Sequence, residues 1–126
     1  MEMRRVVVTG LGALTPIGND VEQYWQSLVN GVSGAALITN FDASQAKTQF
    51  ACEVKGFEAT KFFDRKEVRK YDKFSQYGIV AADQAVADCG VDLEKLNKER
   101  AGVIWASGIG GIITFQEEIT SFAKGD

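Results

Sequence analysis

The chemistry available to this chain is limited first by what it lacks. It has no histidine, so neither a Ser-His-Asp nor a Cys-His arrangement can be assembled within it. Its two cysteines, Cys52 and Cys89, belong to no CxxC pair, and with no histidine beside them they make a poor zinc set. Both are expected to be reduced thiols, and Cys89, closing a helix before Gly90, to be a packing residue. Three other stretches have the residue types of a binding site. Two are glycine-rich turns, GLGALT at 10–15 and GIGGII at 108–113, and the third is the basic run RKEVRKYDK at 65–73.

A glycine turn after an apolar run invites a nucleotide reading, in which backbone amides at a helix start hold a phosphate. The spacing argues against it in both places. A dinucleotide fingerprint needs its third glycine where this chain has Thr15 in the first turn and Ile113 in the second. No Gly-Lys-Ser/Thr follows either turn, which excludes a P-loop. Pro16 and Gly18 also delay the helix after the first turn. In the second turn, Ile109 is a branched apolar residue among Gly108, Gly110 and Gly111, at the end of an apolar run where α/β folds place their ligand crevice. That points to an apolar substrate, against the plainer reading of glycines used for backbone packing.

The basic run carries Arg65, Lys66, Arg69, Lys70 and Lys73 against Glu67 and Asp72, a local excess of three positive charges in a chain of net charge −3. On a helix, Lys66 shares a face with Arg69 and Lys70 at i+3 and i+4. Such a face is either a solvated surface or an electrostatic dock for an acidic partner. Nucleic acid is disfavoured by the overall acidity and by the absence of interleaved aromatic residues.

The elements that must position these stretches read as an α/β protein. A length of 126 residues, 45% apolar and 25% charged, suits one soluble domain with one core. RRVVVT at 4–9 and AGVIWA at 101–106 read as buried strands of a parallel sheet. A first helix is predicted from Asn19 or Asp20, with Glu22 at capping-box spacing and Val21, Tyr24, Trp25, Leu28 and Val29 on one face. A short strand is expected through Phe50, Cys52 and Val54, a short helix within 64–73, and a long alanine-rich helix over 72–89. Gly78 within that helix marks a close contact. A short helical turn follows at 92–97, and Phe115, Ile119 and Phe122 mark a last helix. No apolar stretch approaches a membrane span or a signal peptide, so a cytoplasmic protein is expected.

Taken together, RRVVVTGLGALTPIGND, NFDAS, RKEVRKYDKFSQYGIVAADQA and SGIGG resemble, in order, the amino-terminal part of β-ketoacyl-acyl carrier protein synthases. The likeness is to the synthase II group, the elongating condensing enzymes of bacterial type II fatty acid synthesis. It implies a thiolase-like fold in α/β/α/β/α layers, a homodimer, acyl carrier protein as partner and no external cofactor. It implies that residues 1–126 are the first part of the first thiolase-like half. The cysteine nucleophile and two histidines of the family are then expected beyond Asp126, leaving no catalytic residue here. By the same resemblance Lys66, Arg69 and Lys70 would dock the carrier protein, and Ile109 would border the acyl-chain pocket. Two rivals remain: a non-catalytic module that binds acyl carrier protein, and a small dinucleotide-binding domain.

Overall fold

The computed structural model describes residues 3–125. Four α-helices dominate these residues: α1 (Val21–Val29), α2 (Arg65–Lys70), α3 (Lys73–Cys89) and α4 (Ile112–Lys124). Two short strands, β1 (Ala36–Leu37) and β2 (Phe50–Ala51), pair antiparallel with Ala36 opposite Ala51 and Leu37 opposite Phe50. A 3₁₀ turn covers Ala59–Lys61. No helix among the described residues is long and apolar enough to cross a membrane.

The helices form where local sequence dictates. Asp20 caps α1, its carboxylate accepting from the Gln23 amide at 2.8 Å, while the Gln23 side chain reaches back to the Asn19 amide. The capping pair is therefore Asp20 with Gln23, one residue later than the Asn19–Glu22 spacing suggests. The charged segment forms the short helix expected within 64–73, six residues long, and it has a complete capping box. Asp64 accepts from the Lys66 and Glu67 amides, and Glu67 accepts from the Asp64 amide. The 92–97 segment is a turn, closed by the Lys95 amide on the Asp92 carbonyl at 3.0 Å, and does not propagate into a helix.

The strand expectations fare differently. Neither 4–9 nor 101–106 is a strand among the described residues. Both segments are exposed, with Val6 at 90% and Ile104 at 100%. A helix completes its backbone hydrogen bonds within itself, whereas a strand needs another strand alongside, and among the described residues neither segment pairs with one. The predicted strand through Cys52 and Val54 shortens to Phe50–Ala51, ending opposite Ala36, where its partner begins.

The chain divides into two compact units. The first comprises Met1–Phe57 with Ala81–Gly90, the second Glu58–Val80 with Val91–Asp126. Among the described residues only Ala43 and Val80 are buried hydrophobics. The apolar stripe of α1 exists as predicted, yet Trp25, Leu28 and Val29 along it are exposed.

In the first unit, the β1–β2 hairpin is tied by Glu53, whose carboxylate accepts from the Thr39 hydroxyl at 2.7 Å and the Asn40 side-chain amide at 2.7 Å. The Thr39 hydroxyl chiefly holds the Glu53 carboxyl below its usual range, partly opposed by desolvation. A depressed carboxylate pKa contributes stability that is present above the unfolded value and is lost as pH falls through the folded one. These contacts therefore weaken in acid.

Candidate functional site

The first glycine turn is occupied by the chain itself. Gly10 and Gly12 lie flush against the second half of α3. A Cβ on Gly10 would stand 2.7 Å from the Cys89 nitrogen, and one on Gly12 2.9 Å from the Ala85 nitrogen. The amides a phosphate would need are already bonded, Leu11 to the Asp88 carboxylate at 2.8 Å and Ala13 to the Gln84 side-chain oxygen at 3.0 Å. Gln84 also donates to the Asn19 carbonyl at 2.8 Å, fixing the entry to α1. A carboxylate at the Leu11 amide repels a pyrophosphate as well as displacing it. The small alanines of α3 thus serve close packing, and the dinucleotide reading loses its binding loop. Sequence alone does not single out Gln84 and Asp88, since polar residues on a helix usually mean a solvated face.

The second unit holds both remaining stretches. Lys66, Arg69 and Lys70 lie on α2 at the predicted i, i+3 and i+4 positions, and all three are exposed. Among the described residues none of them forms an ion pair; the Lys70 ammonium lies 5.7 Å from the centre of the Tyr71 ring. Placement within α2 is favourable for Arg69 and Lys70, whose charges sit in the last turn near the negative end of the helix. Three uncompensated cations on so short a helix are suited to attracting an acidic surface. Replacing Asp64 by Ala removes one capping acceptor and half of the box. It is expected to cost about 1 kcal/mol, measurable as a lower denaturation midpoint with unchanged m-value.

Gln76 joins α2 to α3. It is a buried polar residue, 5% exposed, and its side-chain amide donates to the Val68 carbonyl at 3.1 Å and the Tyr71 carbonyl at 2.7 Å. It thereby satisfies carbonyls at the end of α2 that have no partner within the helix. A glutamine inside the run FSQYGIV reads as an interruption of an apolar face; only the turn between the helices gives it a task.

The segment WASGIGGIITF packs on the start of α3. Trp105 lies over Gly78, its indole nitrogen 2.9 Å from where a Cβ would be, which explains the glycine inside that helix. Gly110 and Gly111 have φ of 61° and 55°, the left-handed region that favours glycine. Gly110 lies against the Phe74 ring, and Gly111, the N-cap of α4, against the Asp72 carboxylate. Gly108 is different: its φ is not positive and a side chain there would meet nothing within 4 Å. The turn is therefore braced on the α4 side and open on the other, with Ile109 at the junction and 81% exposed. Cys52 is exposed, and the Cys89 thiol donates to the Val86 carbonyl at 3.0 Å.

The model described as "Beta-ketoacyl synthase, N-terminal domain" matches residues 3–125, and the chain belongs to that family. The 3-oxoacyl-[acyl-carrier-protein] synthase 2 of Synechocystis sp. is 45% identical over 120 residues, covering 95% of this chain and 29% of its own length. The same enzyme of Vibrio harveyi is 48% identical over 112 residues, covering 89% of this chain and 27% of its own. Among solved structures, the ishigamide ketosynthase/chain length factor superposes with a TM-score of 0.66 at 39% identity, over 74% of this chain and 23% of its own. The chain thus has a ketosynthase-like fold and spans less than a third of these relatives.

Proposed function

We propose that this chain is the amino-terminal part of a 3-oxoacyl-[acyl-carrier-protein] synthase II that elongates fatty acids by decarboxylative condensation. The observation that carries the proposal is the family match over residues 3–125, which takes in the basic helix and the Ile109 turn without a break. In the proposed reaction a cysteine outside these residues accepts the acyl group from its carrier, releasing the carrier thiol. Malonyl-carrier protein then loses carbon dioxide; the carbanion left behind attacks the acyl thioester, expels the cysteine thiolate and leaves a 3-oxoacyl-carrier protein. Catalysis of this kind rests on an activated thiolate and on stabilising the developing negative charge. No external cofactor takes part.

Within that scheme Lys66, Arg69 and Lys70 receive the acidic carrier protein, and Ile109 borders the acyl chain. The segments 4–9 and 101–106 become central strands of a layered α/β/α/β/α sheet, and the full protein is a homodimer. Their exposed valines and isoleucine support this, since such β-branched runs are otherwise an aggregation hazard. A self-sufficient carrier-binding module fits the apolar exposure less well.

The purified 126-residue chain is expected to give no 3-oxoacyl product from acyl- and malonyl-carrier protein, while the full-length synthase does. Condensation by the short chain would overturn the assignment of catalysis to residues outside it. A monodisperse short chain that still bound the carrier would favour the module.

A further inference from the structure

We infer that Asp72 is a positioning residue that holds the Ile109 turn in register with the docking helix and so sets acyl-chain selectivity; the inference rests on the functional reading above. Asp72 lies between α2 and α3 and is half-buried. Its backbone carbonyl accepts from the Gln76 amide at 3.0 Å, opening α3. One carboxylate oxygen accepts from the Thr114 hydroxyl in the first turn of α4. The other lies 2.9 Å from where a Cβ on Gly111 would stand.

The carboxylate also supplies what α4 lacks. That helix has a glycine N-cap, no side-chain capping bond and no acidic residue in its first turn. A negative charge brought to its amino end from another element compensates the helix dipole and fixes where the helix starts. Because Gly110 and Gly111 are left-handed, the start of α4 determines the path of the turn back to Ile109. The link continues the other way through Gln76, whose side chain binds the last carbonyls of α2. Two residues, Gln76 and Asp72, therefore connect the helix carrying Lys66, Arg69 and Lys70 to the turn carrying Ile109. Loss of the carboxylate frees the turn on the side where it is now braced, and Ile109 no longer presents one fixed wall.

The test compares wild-type full-length synthase with Asp72→Ala, Asp72→Asn, Thr114→Val and Thr114→Ser. Asp72→Ala and Thr114→Val are expected to shift the long-to-short ratio of kcat/KM for acyl-carrier substrates about tenfold, with KM for the carrier unchanged. Thr114→Ser keeps the donor and should restore the wild-type ratio. Asp72→Asn keeps an acceptor without the charge and should fall between. Hydrogen exchange is expected to accelerate at residues 108–115 in the two disruptive variants and not in α2. An unchanged ratio, or equal losses for all chain lengths, would overturn the inference, because a merely structural role moves stability and not selectivity. A wild-type enzyme without condensing activity would instead defeat the functional reading; accelerated exchange in the variants would still establish the positioning of the turn.

Discussion

Reversing the charge at Lys66 or Arg69 in the full-length synthase is expected to raise KM for acyl-carrier protein about tenfold per substitution while leaving kcat nearly intact. Each reversal removes an attraction and introduces a repulsion at an exposed position, and a tenfold change corresponds to about 1.4 kcal/mol. The effect should shrink with salt, because the interaction is screened beyond a Debye length of about 8 Å at physiological ionic strength. The wild-type KM should accordingly rise with salt, and the variants should show a flatter slope. Helix stability provides an internal control. Lys66 is in the first turn of α2, where a glutamate suits the positive end of the dipole, whereas Arg69 is in the last turn, where a glutamate opposes it. The two variants should therefore differ in stability and agree in carrier use. Kinetics that followed stability instead, or that did not change, would return the patch to a solvated face.

Ile109→Phe in the full-length synthase is expected to lower kcat/KM for the longest accepted acyl chains about tenfold to a hundredfold and to spare short ones. The larger ring fills space that a long chain would enter, and a methylene-sized change in an apolar pocket already discriminates by about tenfold or more. In the 126-residue chain the same substitution should move stability by no more than about 0.5 kcal/mol, since Ile109 is exposed there and makes little packing to lose. A variant with lower stability and the wild-type chain preference would show that Ile109 is a packing residue.

Much of the candidate site is legible in the amino-acid sequence. The α2 face follows from charges at i, i+3 and i+4, which are neighbours within one helical turn. Failure of the phosphate motifs also follows from spacing alone. The collinear run of family motifs carries the assignment of Ile109, which no periodicity could supply.

What the sequence does not disclose depends on partners outside the residue's own helix. Nothing local distinguishes Gln76 from an ordinary surface glutamine, or Asp72 from a plain N-cap. Their tasks come from the Val68 and Tyr71 carbonyls in one case and from Thr114 in the other. The same holds for Gln84 and Asp88, which take up the amides of the first glycine loop. RRVVVT and AGVIWA read as strands, and their composition does favour that conformation. A strand is nevertheless a property of a pair, and without a neighbour these segments remain outside any sheet and exposed. By itself, then, the sequence determined the helices, the charge on α2 and the family, because each rests on contacts within a few residues or on motif order. Only the tertiary structure decided what the glycines pack against and which polar groups hold the Ile109 turn, because hydrogen bonds and close approach between distant residues exist only once the backbone brings them together.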